Sequence, residues 1–446
     1  MIFIKSETLS MSSAEIGAIA LTLSVFLAVV HSFGYIFEKL RQPKLVGEIL
    51  AGVILGPFVL GKLHPEFFSK MMGTSAPDNK IEIILNFIYW IGLFLLMFIS
   101  GSETRRLMGK ENQKETAWML GVGTPLPFII VLVLGLYSFI PLASITGVAG
   151  QETSALLILA IAVSVTSIPV ISRIFYDLKI IHTRFASLVL GSAVLEDIIL
   201  WGVLAVATGL VKTATMAQEH VVSEITKHMS ITMIYMLVGL FLAPLILKKI
   251  HSHRFNILYK ASPRGYVFVI LFLYIALASF LEINLVFGAF LAGFGVIGGI
   301  KGTEREKFED SLDSIAKVSF SFFIPIYFAI VGFKLSLGRD FSFSMLVIFL
   351  FASSLLALLA NGFAAYLAGF RKLDIINLAI TTNARGGPGI VLASVAFEAG
   401  IINAEFYTAL VLTAILTSQA AGTWLRYVLN KGWPLLSSNP EETWKK

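Results

Sequence analysis

The sequence predicts an all-α integral membrane protein. Of its 446 residues, 57% are hydrophobic and only 14% are charged, whereas soluble globular domains carry about 25% charged residues. The mean hydropathy is +0.84, and apolar runs of roughly 20 residues, the length that crosses a bilayer as a helix, recur along the chain. Cysteine is absent, which excludes disulfides, thiolate metal sites and cysteine nucleophiles.

Thirteen apolar runs qualify as transmembrane helices, and the loops between them are mostly short. They lie at about 15–38, 45–60, 82–101, 117–140, 153–176, 184–211, 229–248, 264–282, 284–300, 315–335, 341–370, 375–398 and 405–427. The first run has no small-residue cleavage site, so we expect it to be retained as a helix. Because the tail after Arg426 is short, we expect no appended soluble regulatory domain.

Loop charges predict the orientation in the membrane. Most of the 34 Lys and Arg residues fall in the odd-numbered loops and the C-terminal tail. Because Lys and Arg are retained on the cytoplasmic side, we expect the N-terminus outside and the C-terminus in the cytoplasm. The net charge of +6 then reflects loops that face anionic lipid, and no basic patch with interleaved aromatic residues indicates a nucleic-acid partner.

Two of the predicted spans contain residues that interrupt a helix. The fifth places small hydroxyl residues ahead of a proline, and the twelfth is too rich in glycine and proline to stay regular in a bilayer. The residues are Ser164, Thr166, Ser167 and Pro169 in the fifth span and Asn383, Ala384, Arg385, Gly386, Gly387, Pro388 and Gly389 in the twelfth. The two spans are seven apart in order and therefore cross in opposite directions. This pattern predicts inverted repeats with two crossed discontinuous helices.

An adjacent pair of acids, Glu196 and Asp197, lies in the sixth span, about 12 residues from its start. At 1.5 Å per residue both carboxyls lie roughly 18 Å along the helix, near the midplane of a bilayer core about 30 Å thick. Acids at this depth usually mark an ion or proton pathway. The sixth span follows the first break after a short turn, so we expect the carboxylates to meet its loosened carbonyls. Such an oxygen-only site suits a hard monovalent cation or a proton.

A buried carboxylate without a counter-charge takes up a proton readily, and a desolvated cation stabilises its ionised form instead. One site then holds either a proton or a cation, and strict exchange follows if only the occupied site crosses between the two sides. Neighbouring residues on a helix point about 100° apart. We therefore assign direct coordination to Asp197 and a supporting or proton-carrying role to Glu196. This chemistry requires no cofactor and no resident metal.

Several alternatives stay open on the sequence. Glu196 could be a neutral structural hydrogen-bonding group, and Arg385 could either satisfy the carbonyl ends of the broken helix or pair with Glu196. A gated potassium efflux pathway or channel could use the same acids, and dependence of the flux on both gradients would separate exchange from conduction. Two acids and one base at the centre argue against an anion transporter. The polar residues in the spans show no Ser/His or metal-ligand spacing typical of an enzyme.

Several stretches of the chain share one pattern in order. The first is residues 43–60, with Pro43, Gly47, Glu48, Ile49, Leu50, Ala51, Gly52, Leu55, Gly56 and Pro57. The pattern continues through Gly92, Phe98, Gly101 and Glu103, then through 164–173, 191–197, 288–293, 323–332 and 383–389. Together these stretches resemble the larger family of monovalent cation:proton antiporters, which includes bacterial sodium/proton and potassium/proton exchangers, and residues 43–60 are similar to its second-helix signature.

The resemblance implies a homodimer of 13-helix protomers that exchange Na⁺ or K⁺ for H⁺, and we expect it in a bacterial inner membrane. Each protomer would have a core domain that moves like an elevator and a second set of elements for dimerisation. By analogy the core comprises about 117–211 and 341–427, and the dimerisation elements comprise about 15–101 and 229–335.

The resemblance also implies roles for single residues. Asp197 matches the acid that binds cation and proton in alternation. Thr166 and Ser167 match the first crossover, and Asn383 with Arg385 matches the second crossover. We expect four residues to support the site: Ser164, Asn361, Asn383 and Arg385.

Two positions depart from the family's pattern. The position before the binding acid is commonly Asp, Asn or Gln, whereas this chain has Glu196. Many members carry a Lys on the helix before the second break, where this chain has Asn361, and that Lys is often taken to neutralise the preceding acid. The resemblance therefore carries over neither the charge pairing nor the stoichiometry. The sequence leaves Na⁺ and K⁺ as alternatives, because selectivity depends on cavity geometry.

Overall fold

The computed structural model describes residues 11–40, 42–72, 80–107, 113–181, 183–213, 221–251, 253, 256–297, 303–338 and 341–437. In these ranges the regular structure is helical, without a strand. The helices are, in chain order, α1 (Ser13–Lys39), α2 (Lys44–Leu55), α3 (Leu60–Leu63), α4 (Pro65–Met72), α5 (Lys80–Leu107), α6 (Gln113–Trp118), α7 (Pro125–Leu136), α8 (Glu152–Ser164), α9 (Ile168–Asp177), α10 (Arg184–Thr213), α11 (Val221–Leu237), α12 (Ala243–His251), α13 (Ile257–Ala261), α14 (Pro263–Phe280), α15 (Leu285–Val296), α16 (Thr303–Val318), α17 (Ile324–Phe333), α18 (Phe343–Leu367), α19 (Leu373–Thr382), α20 (Gly386–Glu398) and α21 (Ala404–Asn430).

Ten helical segments in the described ranges are long and apolar enough to cross a membrane. The other three spans predicted from the sequence contain shorter helices. The fifth and twelfth are each divided in two, into α8 with α9 and α19 with α20, and the ninth contains the 12-residue helix α15. A helix that stops at a break cannot reach the length of a full span, so helix length alone yields ten spans and not the predicted 13.

One compact unit lies within residues 1–95 and 317–335 and includes α1 to α4, most of α5, and α17. Glycines bring α2 and α17 into close contact. A Cβ at Gly52 would overlap the carbonyl oxygen of Ala329, and a Cβ at Gly332 would overlap that of Ile49. Small residues let helix backbones approach closely, so a larger side chain at either glycine would force these helices apart.

The second compact unit lies within residues 96–316 and 336–446. It contains α6 to α15, most of α16, and α18 to α21, together with the C-terminal end of α5. Both interrupted spans and the acids of the sixth span belong to this unit. The division into a moving core and dimerisation elements concerns motion and assembly, and it stays a prediction.

Within this second unit, the loop that leads into α8 is hydrogen-bonded to the loop that leaves α20. The amide of Gly147 donates to the carbonyl of Ile401 at 2.9 Å, and Thr146 and Ile402 form an isolated antiparallel bridge. The start of the fifth span therefore lies beside the end of the twelfth span.

The chain after α21 packs back onto α19. Asp374 accepts hydrogen bonds from the amide and the hydroxyl of Ser437 at 2.9 and 2.6 Å. Asn377 donates to the carbonyl of Leu435 at 3.0 Å and accepts from the indole of Trp424 at 2.9 Å. These contacts fix the N-terminal part of the helix that leads into the second break.

Candidate functional site

The first break separates α8 from α9. The last residue of α8, Ser164, is followed by Val165 in an extended conformation, with φ −74° and ψ 137°. The next helix begins at Ile168, and a proline in its first turn has no N–H with which to continue a regular helix. Thr166 and Ser167 therefore occupy non-helical backbone, and both are buried.

The second break separates α19 from α20, between Thr382 and Gly386. Gly386 has φ +35°, a left-handed conformation that glycine adopts without steric cost. Its amide donates to the hydroxyl of Ser418 at 3.0 Å, and the amide of Arg385 donates to the hydroxyl of Thr417 at 3.4 Å. Hydroxyls of α21 thus satisfy the first amides of α20, which lack partners within their own helix.

The two breaks contact each other directly. The hydroxyl of Thr166 donates to the carbonyl of Thr382 at 2.8 Å, and the amide of Ser167 donates to the carbonyl of Ala384 at 2.7 Å. A Cβ at Gly386 would lie only 2.5 Å from the hydroxyl oxygen of Ser167. Unwound backbone within a membrane must find hydrogen-bond partners in the protein, and here each break supplies partners to the other.

Arg385 lies at the second break with 2% of its surface exposed. Its guanidinium donates to the hydroxyl of Ser353 at 2.7 Å and to the side-chain oxygen of Asn383 at 3.4 Å. The same group lies 5.6 Å from the centroid of the Phe349 ring. Among the described residues no ion pair joins Arg385 to Glu196, so its observed contacts belong to the second break and to α18.

Glu196 is carried by α10 and is 1% exposed. Its carboxyl lies beside two hydroxyls, those of Thr166 in the first break and Thr124 at the start of α7. The Oε2 atom completes no hydrogen bond within the described part of the chain. Asp197 is also part of α10, but its side chain lies outside the described residues, so direct coordination by Asp197 stays a prediction.

Two of the predicted supporting residues hydrogen-bond to their own helices. Ser164 donates to the carbonyl of Ala160 at 2.9 Å, and Asn361 on α18 donates to the carbonyl of Ala357 at 3.0 Å. The Oδ1 atom of Asn361 has no hydrogen-bond partner in the described ranges. A Cβ at Gly123 would lie 2.5 Å from that oxygen, so the chain just before α7 packs against the Asn361 amide.

No role was predicted from the sequence for Thr124, or for Ser353, Thr417 and Ser418, whose hydroxyls accept hydrogen bonds at the second break. Thr124 had a usable signal, since it precedes Pro125 inside an apolar span. The other three lie in regular helices and had no such mark.

The site can offer oxygen atoms of two kinds. The Thr166 hydroxyl donates its hydrogen to the Thr382 carbonyl. The lone pairs of the Thr166 oxygen therefore stay available to a cation or to a protonated carboxyl. The Glu196 carboxyl can hold a proton or face a cation. Within the described residues no group of three or more His, Cys, Asp and Glu side chains is placed to hold a metal ion. This ligand chemistry suits hard cations and protons.

A family model described as "Sodium/hydrogen exchanger, transmembrane" matches residues 24–431. The chain belongs to the sodium/hydrogen exchanger family. Members of this exchanger family are membrane transporters, and with its long apolar helices this chain is an integral membrane protein.

Similar proteins within this exchanger family include named antiporters. The chain is 26% identical over 423 residues to K(+)/H(+) antiporter 1 of Saccharomyces cerevisiae. This match covers 91% of the chain and 46% of the yeast protein. The chain is 23% identical over 408 residues to the Na(+)/H(+)-K(+) antiporter GerN of Bacillus cereus, covering 91% and 95%. The chain thus spans about half the length of the yeast relative and nearly all of the bacterial one.

A solved structure shares the fold of this chain. The sodium proton antiporter MjNhaP1 from Methanocaldococcus jannaschii superimposes with a TM-score of 0.60 at 17% sequence identity, covering 93% of this chain and 98% of that one. At this identity the likeness shows the fold alone.

Proposed function

We propose that the protein is a secondary active antiporter that exchanges Na⁺ or K⁺ for H⁺. One observation carries this proposal: a fully buried carboxyl, Glu196, faces the hydroxyl of Thr166 at the point where two interrupted helices contact each other. Family membership and the names of the similar antiporters support the same chemistry.

Exchange follows from competition for one site. Desolvation disfavours a bare carboxylate, so the site is stable only when a proton or a cation compensates its charge. Asp197 provides the binding carboxylate, Thr166 and Ser167 provide oxygen ligands at the first break, and Glu196 supports the site or carries the proton. If the uncompensated site does not cross the membrane, each cation moved in one direction requires a proton moved in the other.

The interrupted spans form a pair of crossed discontinuous helices within inverted repeats of a 13-span protomer. The hydrogen-bonded loops before α8 and after α20 support opposite directions for the two spans, since they bring the start of one beside the end of the other. Alternating access is of the elevator type, in a homodimer whose core comprises about 117–211 and 341–427. The N-terminus lies outside and the C-terminus in the cytoplasm of a bacterial inner membrane, as loop charges indicate.

The test is transport by the purified full chain in proteoliposomes that contain a pH-sensitive dye. Addition of Na⁺ or K⁺ outside should drive protons out of the lumen, and a reversed cation gradient should drive them in. A series of Li⁺, Na⁺, K⁺ and Rb⁺ identifies the substrate. Cation flux without any proton movement would overturn exchange and favour a conducting pathway.

The stoichiometry can be tested in the same vesicles. We propose electroneutral or weakly electrogenic exchange, because Asn361 stands where many family members carry a Lys. The direction of exchange should then depend on the chemical gradients and change little with an imposed membrane potential. A reversal point that moves steeply with voltage would contradict this stoichiometry.

A further inference from the structure

Thr124 lies where the fourth predicted span changes its helical form. The chain makes a wide π-helical turn at Met119–Gly123 and then continues as α7, which begins with Pro125. Turns of this kind are often found at functional sites. Thr124 itself is 4% exposed.

The Thr124 hydroxyl differs from those of three buried threonines at the breaks. Thr381, Thr382 and Thr417 each donate to the carbonyl one turn earlier in their own helices, at 2.6, 2.9 and 2.8 Å. That bond is the usual solution for a threonine inside a helix. The Thr124 oxygen has no hydrogen-bond partner in the described part of the chain. A buried polar atom left in this way costs free energy unless something else satisfies it.

The hydroxyl of Thr124 faces the Glu196 carboxyl, whose Oε2 atom is also without a partner among the described residues. The Thr166 hydroxyl lies beside the same carboxyl. Two separate segments, the start of α7 and the first break, therefore each place a hydroxyl beside the Glu196 carboxyl of α10. Packing of Gly123 against the Asn361 amide holds the start of α7 in this position.

The two hydroxyls differ in what they can do. Thr166 is fixed as a donor to the Thr382 carbonyl and offers only lone pairs to the site. Thr124 completes no hydrogen bond within the described ranges, so it can donate to a carboxylate or turn its lone pairs towards a cation. A ligand that adapts in this way suits a site that alternates between proton and cation.

We propose that Thr124 is a further ligand of the exchanged cation and that it helps to determine which alkali cation is carried. The inference rests on the proposed exchange function. It extends the site from the fifth, sixth and twelfth spans to the fourth. The selectivity follows because cations of different radius require different numbers of oxygen ligands at different distances.

The experiment compares Thr124→Val with Thr124→Ser in proteoliposomes. The valine variant keeps the shape of the side chain and removes its oxygen. The apparent KM for the carried cation should rise about tenfold, as expected for the loss of one contact to a charged group, and the order of preference among Li⁺, Na⁺ and K⁺ should change. The serine variant keeps the oxygen and should stay within about threefold of wild type.

The matched control is Thr208→Val. Thr208, like Thr124, is buried, but it belongs to α10 and lies about 18 Å along that helix from Glu196. Its hydroxyl donates to the Leu204 carbonyl of its own helix at 3.1 Å. The apparent KM of Thr208→Val for the cation should equal that of wild type. Wild-type affinity and selectivity in Thr124→Val would overturn the proposal, as would an equal loss in the serine variant.

Thermal stability separates a ligand from a structural residue. Because the Thr124 hydroxyl completes no hydrogen bond with the described residues, Thr124→Val should melt at or above the wild-type temperature in detergent. A loss of affinity together with a lower melting temperature would make Thr124 structural and overturn the inference. Absence of cation-driven proton flux in the wild type would instead refute the proposed function itself.

Discussion

Replacement of Thr166 by valine should weaken both the fold and the site. The change keeps the shape of the side chain but removes the hydroxyl that donates to the Thr382 carbonyl at 2.8 Å. A buried carbonyl left without a donor costs about 1–3 kcal/mol, and side-chain hydrogen bonds between membrane helices average about 0.6 kcal/mol. We therefore expect a loss of about 1 kcal/mol in stability. Loss of an oxygen ligand should also raise the apparent KM for the cation about tenfold, which corresponds to about 1.4 kcal/mol.

The control is Thr166→Ser, which keeps the hydroxyl and loses one buried methyl group. That loss costs about 0.8 kcal/mol of burial but should leave the apparent KM near the wild-type value. Melting of the purified protein in detergent measures stability, and cation-driven proton flux in proteoliposomes measures affinity. If the serine and valine variants show the same KM, the oxygen is not a ligand. If valine matches wild type in both assays, the reasoning about the two breaks is wrong.

Three further substitutions probe the charged residues. Asp197→Asn should abolish cation-driven proton flux, while the surface control Asp313→Asn should transport normally; full exchange in the first variant would exclude Asp197 as the binding acid. Glu196→Gln should keep partial activity with an altered pH profile, because the amide cannot take up a proton, and an unchanged profile would assign Glu196 a structural role. Arg385→Lys should destabilise the protein by about 2 kcal/mol in thermal melting, because an ammonium cannot reproduce the guanidinium fork. The exposed control Arg371→Lys should melt like wild type. Equal melting temperatures of the two variants would show that the guanidinium of Arg385 is dispensable.

Features that depend on local composition could be predicted from the sequence. Apolar runs located the ten long helices, and the hydroxyl residues before Pro169 and the residues 383–389 marked the two places where the chain leaves its helix, after α8 and after α19. These signals work because a helix inside a bilayer has few ways to satisfy an interrupted backbone. The same residues explain most of the difference between the 13 predicted spans and the ten long helices. They divide the fifth and twelfth spans into helices that are each too short to cross a membrane.

Features that depend on packing between helices could not be predicted. Nothing near Ser418 indicates that its hydroxyl accepts the Gly386 amide, because that contact depends on how α21 rotates against α20. The position of Thr124 beside Glu196 depends in the same way on the register of three segments. Sequence spacing fixes neighbours only within one helix, so contacts across the site required the structure.

The paired loops at the ends of α8 and α20 offer a natural place for a covalent crosslink. Residues opposite each other in an antiparallel bridge have Cα atoms about 4.5–5.5 Å apart, within the range that a disulfide spans. The chain contains no cysteine of its own, so a pair introduced at Thr146 and Ile402 could be oxidised without competing thiols. Transport that survives this oxidation would mean that the two broken helices travel together as one rigid body.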